Sequence, residues 1–215
     1  MYRKLLSAIL LATASPAAFA QATLTPYNYN PYLGDQYIVK ICDTTGIVPG
    51  AGGAGKTWNF SSLIATHTDT GTAVSCAATP SCPLFSASTS AIVNPGGTMT
   101  TYLITDVSRY SQNGYYGSAT QNTIYSDPVD QLRYPFTFGS SFTDTYAGLV
   151  TYTPAGFPTI YATETGRTTT TCDAWGTLTI PGNAGPVTHS NVLRAHSIQT
   201  FRDSANLFGT PTVGT

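Results

Sequence analysis

Charge is what this chain has least of. Only 9% of its 215 residues are Asp, Glu, Lys or Arg, and the formal net charge at pH 7 is −1. Removing Arg3 and Lys4 with the leader described below leaves seven basic against ten acidic side chains. A nucleic-acid partner calls for a basic footprint, so that class is excluded as an expectation. Nothing in the charge draws the chain to an anionic membrane or an acidic substrate either. Long apolar runs are also missing: Leu5–Ala12, in the leader, is too short to span a bilayer, and no stretch of the mature chain reads as a transmembrane segment. No segment has a convincing helical period, no strict repeat is visible, and there is no alternation of strand and helix.

Catalytic patterns are equally scarce. A serine hydrolase places its nucleophile on a strained turn beside a histidine base. The chain has no G-x-S-x-G, and Gly117-Ser118 and Gly139-Ser140 read as turn chemistry. His67, His189 and His196 are the three histidines, and nothing in the sequence sets one beside a serine. A glycosidase needs two carboxylates facing one another. Glu164 is the one glutamate, with Asp130, Asp144 and Asp173 as partners to consider. Asp144 and Asp173 read better as turn caps. His67 and Asp69 form a surface pair rather than a metal site. No catalytic residue, metal or cofactor is therefore expected, and the chain reads as a non-enzyme, with a secreted hydrolase kept as an alternative.

What is present begins with a leader. Arg3 and Lys4 precede a short apolar run, and Ala18-Phe19-Ala20 is a small-x-small cleavage site before Gln21. Residues 1–20 are read as a signal peptide and 21–215 as one all-β extracellular domain, secreted or held at the cell surface. The four cysteines, Cys42, Cys76, Cys82 and Cys172, all lie in that domain. An even count in an exported chain favours disulfides, and four cysteines allow three pairings. SCAATPSCP reads as a small closed loop, Cys76–Cys82, which leaves Cys42–Cys172 to join distant strands. The spacing fits zinc poorly.

β-Branched runs and period-two alternation recur along the mature chain. Tyr37–Cys42, Met99–Val107, Leu132–Phe138, Ser141–Tyr152 and Phe157–Thr163 read as strands. Thr168–Thr171, Thr177–Ile180 and the run from Val192 do too. Ala174–Gly176, Asn113-Gly114, Asp127-Pro128 and the loop around Asn94-Pro95-Gly96-Gly97 read as turns between them; Pro135 suggests an edge or bulge. About nine to eleven short strands at regular spacing predict an antiparallel β-sandwich, jelly-roll-like, with a β-barrel-like closure as the alternative. Trp58 and Phe60 are expected in the core. Arg194, after Val192-Leu193, finds a natural partner in Asp173.

Two stretches invite a sharper reading. Gly50–Thr57, GAGGAGKT, satisfies the P-loop pattern, with Lys56 for a terminal phosphate and Thr57 for magnesium. That loop must open a helix, and TWNFSSL has no helical amphipathicity, so no nucleotide is expected. Residues 21–36 are rich in Tyr, Asn and Pro. Tyr27, Tyr29 and Tyr32 form either an arm laid over the sheet or an exposed aromatic shelf for a sugar. Tyr115, Tyr116 and Tyr125 are the further aromatic candidates for ligand contact.

Three blocks carry a family likeness: GAGGAGKTWNFSSL, YSDPVDQLRYPFTFGSSFTDTYAG and CDAWGTLTIPGNAGPVTHSNVLR. They resemble the β-rich N-terminal region of secreted Bacteroidetes proteins, many of which end in a type IX secretion sorting domain. The likeness runs from about Gly46 to Arg202. It implies an extracellular all-β module and brings no catalytic residues with it. It also implies O-glycosylation at Asp43-Thr44-Thr45 and Asp203-Ser204-Ala205. Asn59 stands where aspartate is common in that pattern. No sorting domain follows Arg202, so the resemblance implies either a chain truncated at its C-terminus or a different route out of the cell. A structural or adhesion module, meeting a surface glycan or protein, is the leading expectation; a carbohydrate-binding module using the tyrosines is the second.

Overall fold

The computed structural model describes residues 22–94, 99–207 and 210–214. The leader and the Pro95–Gly97 part of one expected loop lie outside the described residues. Thirteen strands run β1 (Thr23–Leu24), β2 (Gln36–Cys42), β3 (Gly53–Asn59), β4 (Ala65–Ser75), β5 (Ser90–Val93), β6 (Thr100–Thr105) and β7 (Arg109–Ser118), then β8 (Gln121–Arg133), β9 (Phe136–Thr137), β10 (Ser141–Tyr152), β11 (Ile160–Pro181), β12 (Pro186–Leu207) and β13 (Thr210–Gly214). One four-residue helix, α1 (Pro26–Tyr29), lies in the N-terminal arm. The fold is all-β, as the alternation predicts.

Eleven strands form one sheet in the order β13-β12-β11-β10-β8-β7-β6-β5-β4-β2, with β3 attached to β11. The sheet does not close into a barrel. A second sheet of two strands, β1 and β9, packs on it through Leu24 and Phe136. The pairing is antiparallel except at β3, which runs parallel to β11. That exception follows from how β11 is shared: β10 occupies its edge from Ile160 to Thr171, and β3 takes the edge beyond, from Ala174 to Thr179.

The expectation of short strands needs correction. β11 and β12 are 22 residues each, about 70 Å at ordinary strand rise. The predicted turn at Ala174–Gly176 is instead strand, with register shifts between Cys172 and Ala174 and between Gly176 and Leu178. Bulges bend a strand without ending it. At Gly176 a Cβ would lie 1.8 Å from the Lys56 carbonyl oxygen, so only glycine lets β3 approach this closely. Asn113-Gly114 is likewise a bulge within β7, with Gly114 at φ +140° and its Cα against the Thr123 carbonyl. Asp127-Pro128 is no turn either; β8 runs through it where both flanking ladders lose register.

Two clusters make the core. Cys76, Phe85, Ala91 and Tyr102 form the first, with the Phe85 and Tyr102 rings stacked at 3.9 Å. The segment between β4 and β5 covers this part of the sheet and is tied by the Cys76–Cys82 disulfide, S–S 2.02 Å. Leu132, Phe136 and Cys172 form the second, under Leu24, Tyr134, Phe138 and Phe142.

The second expected bridge, Cys42–Cys172, does not form; both cysteines are free. Cys172 is buried in the second cluster, whereas Cys42 lines a cavity of about 450 Å³ with Ile180 and Pro181 at the far end of β11. Eight residues of strand, about 26 Å, separate Cys172 from Ile180. Trp58 and Phe60 are half-buried rather than core residues. Asp144 and Asp173 cap no turn: each sits inside a long strand and binds an arginine.

Candidate binding site

The N-terminal arm is fixed before it can present anything. Asn28 accepts the Thr25 amide at 2.7 Å and donates to the Thr23 carbonyl at 2.9 Å, closing the chain around α1. Tyr32 donates its hydroxyl to the Tyr27 carbonyl and its amide to Asp35. The arm is pinned to the sheet by Asn30, which accepts the Tyr134 hydroxyl at 2.6 Å and donates to the Asp106 carbonyl. Tyr29 then stands edge-on to Tyr110, ring centroids 5.5 Å apart, and 6.4 Å from Tyr134. Tyr29 remains 43% exposed, Tyr32 61% and Tyr27 77%. The segment is thus an arm laid over the sheet, with Tyr27, Tyr29 and Tyr32 left exposed on it. Burial raises the Tyr29 and Tyr134 pKa values and takes Tyr110 to about 12, so these rings stay neutral.

Beside the shelf lies a cavity of about 480 Å³ lined by Asp106, Ser108, Arg109, Asp130, Arg133 and Tyr134. Register creates it. Arg109 on β7 faces Arg133 on β8, a like-charge pair that is unfavourable by itself. Asp130, nearly fully buried, resolves the conflict: it accepts Arg133 Nε at 2.7 Å, Arg109 at 3.5 Å and the Ser111 hydroxyl at 2.6 Å. Asp144 on β10 takes the other side of Arg133 at 2.8 Å and the Asp130 amide at 2.9 Å. Burial raises the Asp144 pKa, with the neighbouring Asp130 charge adding to it. Asp106 accepts the Ser108 hydroxyl and amide, which hold its carboxyl below the usual range. Arg109 and Arg133 keep over two-fifths of their side chains exposed. The result is a set of fixed donors and acceptors at the rim of an aromatic platform.

The other tyrosines go elsewhere. Tyr116 packs against the first core cluster. Tyr115 lies on β7 opposite Thr123, away from the arm. Tyr125 meets Tyr146 edge-on at 5.6 Å and donates to Glu164 at 3.4 Å. Glu164 faces Asp203 across β11 and β12, not Asp130, Asp144 or Asp173. Burial, and then the Asp203 charge, raise its pKa. The sequence reading missed Tyr110, Tyr134, Arg109 and Arg133. Their only signal was the repeated Arg-Tyr pair at 109–110 and 133–134.

The remaining candidates have local roles. His67 and Asp69 contact each other at 2.8 Å on exposed β4. Among the described residues no group of three His, Cys, Asp or Glu could hold a metal. Arg194 pairs with both Asp173 oxygens at 2.7 Å and donates to the Pro49 and Gly50 carbonyls. It lies over the Trp58 ring at 5.8 Å. In this way it anchors the Gly50–Thr57 stretch, whose Lys56 and Thr57 belong to β3 rather than to a helix start. His196 lies 4.0 Å from Asp173, and His189 is exposed opposite Leu178. No described helix is long and apolar enough to cross a membrane. Comparison with protein-family models, curated proteins and solved structures found no match.

Proposed function

We propose that this chain is a secreted or cell-surface binding module that holds a neutral sugar on the Tyr29 shelf. The observation carrying this reading is the placement of an exposed tyrosine, braced by Tyr110 and Tyr134, beside the Arg109–Arg133 cavity. A sugar ring offers an apolar C–H face to an aromatic ring and hydroxyls to fixed donors and acceptors. A concave site with an apolar platform and few convergent polar groups suits such a ligand. The cluster suits recognition more than hydrolysis, because Asp130 and Asp144 are both engaged by Arg133. The leader and the resemblance to secreted Bacteroidetes proteins support an extracellular setting.

A glycan array with the mature chain, followed by calorimetry on the best hit, tests this. Saturable binding weakened about tenfold or more in Y29A and R133Q is expected. Binding that is unchanged in both variants, or no saturable binder on the array, overturns it. The purely structural or adhesive role is then the better reading. One observation already favours that second reading: Ile38, Val39 and Ile41 on the edge strand β2 are about half exposed.

A further inference from the structure

The described chain has five arginines, and they fall into two kinds. Arg109, Arg133 and Arg194 each bind aspartate. Arg167 and Arg202 are exposed and take part in no ion pair among the described residues. They are also neighbours. Arg167 on β11 faces Thr200 on β12, and Thr165 faces Arg202. Between these two pairs lies the Gly166–Phe201 pair, whose side-chain positions belong to the other face.

The register therefore draws a square. The two arginines occupy one diagonal, about 7–8 Å between backbones, and the two threonines occupy the other. All six residues line one shallow depression of about 340 Å³. On β10, Thr145 stands opposite Arg167 and Ala147 opposite Thr165. None of the direct cross-strand partners of Thr165, Arg167, Thr200 and Arg202 among the described residues is a carboxylate; the nearest acid along the ladder is Asp127 on β8, opposite Ala147 and two strands from β11. Glu164 and Asp203, the acidic sequence neighbours, alternate to the opposite face, where Glu164 meets Tyr125. Like-charged arginines set this close are mutually repulsive, and an anion between them would relieve that repulsion.

We propose that this square is a binding site for the anionic group of an acidic polysaccharide, a sulfate ester or a uronate carboxylate. Each guanidinium presents a planar fork of donors matched to oxyanion geometry, and the threonine hydroxyls supply two more donors. The surrounding surface is flat and rich in hydroxyls, so an extended sugar chain lies on it without a pocket. A nucleic acid would demand a far larger basic footprint than two arginines in an acidic chain. The site is separate from the Tyr29 shelf and does not depend on it.

The test is binding of the mature chain to heparin as the sulfated probe and polygalacturonate as the carboxylated one. Dextran serves as the neutral control and polyglutamate as a polyanion without sugar. Wild type is expected to bind at least one acidic polysaccharide at low ionic strength, to release it as salt rises, and to ignore dextran. R167Q/R202Q should weaken this by about tenfold or more, with Y29A unchanged. Because both side chains are exposed, the double variant should keep the wild-type unfolding midpoint. Absence of binding to both acidic probes, or binding unaffected by R167Q/R202Q, overturns the proposal. Equal affinity for polyglutamate overturns its saccharide specificity. Loss of neutral-glycan array binding in Y29A, with acidic-polysaccharide binding intact, overturns nothing here and shows the two sites to be independent.

Discussion

The middle of the large sheet and its β2 end are built on different principles. In the middle, β6, β7 and β8 lie under covering segments, and Phe85, Tyr102, Leu132 and Phe136 are all at most 4% exposed. At the end, β2 pairs only with β4, and Ile38, Val39 and Ile41 are 56%, 51% and 48% exposed. β2 (QYIVKIC) is the more apolar of the two, since β7 (RYSQNGYYGS) and β8 (QNTIYSDPVDQLR) are largely polar. What separates the two regions in burial is whether something lies on top. The disulfide-tied segment between β4 and β5 covers one part of the middle, and the β1–β9 sheet with the N-terminal arm covers another. The ordered charge network and the aromatic shelf sit where cover meets sheet.

The sharpest way to break the comparison is to remove one large apolar side chain from each region. Phe85→Ala deletes a ring stacked on Tyr102 at 3.9 Å in a closed cluster. About 3–5 kcal/mol of stability should be lost. Ile38→Ala, made on a side chain already 56% exposed, should cost about 0.5 kcal/mol or less. Urea unfolding of the two variants measures both. Similar losses would mean that β2 is covered in solution by something the isolated chain supplies.

The sequence showed the class of fold and the covering loop because both are local. Alternation along Ser141–Tyr152 and Thr177–Ile180 is a strand signal whatever the strands pair with, and Cys76 and Cys82 are close enough in sequence to close their own loop. It misled where bulges and turns use the same residues. Asn113-Gly114, Asp127-Pro128 and Ala174–Gly176 all carry turn chemistry, yet each bends a strand that continues. Long strands therefore read as short ones, and Cys42 and Cys172 pair in the sequence only by elimination. The shelf was half legible. Tyr27, Tyr29 and Tyr32 are adjacent in the chain, but Tyr110, Tyr134, Arg109 and Arg133 join them only through the β7–β8 register. No local pattern encodes that register.

A second contrast sets two carboxylates against each other. Asp173 is held low by Arg194, first through their hydrogen bonds. Its contribution to stability is present above the ordinary aspartate pKa and lost as pH falls through the lowered folded value. Glu164 has the opposite sign. Burial, and then Asp203, raise its pKa, so the folded chain takes up that proton before the unfolded chain does. Stability from Glu164 therefore increases as pH falls through its raised folded value, which lies above the ordinary glutamate range. Urea midpoints from pH 7 down to about 3 should show wild type gaining on Glu164→Gln in the mildly acidic range. Below about pH 4, both proteins should weaken together as Asp173 protonates. A constant difference between wild type and Glu164→Gln across the range would mean that Glu164 is solvated in the folded chain.

The smallest expected effect comes from the β2 edge itself. Val39 faces Asp69 on β4, so Val39→Lys sets a cation beside an anion and puts charge on an open strand. Stability should move by no more than about 0.5 kcal/mol, because little packing is lost. Self-association should fall, since a charged edge resists pairing with a second strand. Sedimentation of wild type and Val39→Lys across a concentration series reads this directly. A variant that stays monomeric while wild type associates makes β2 a docking edge and the uncovered end of the sheet a functional surface. If both remain monomeric at every concentration, exposure alone does not make the edge adhesive. Lys40, on the same face as Ile38, then serves only to tie β2 back to the Gly182 carbonyl beside the end of β11.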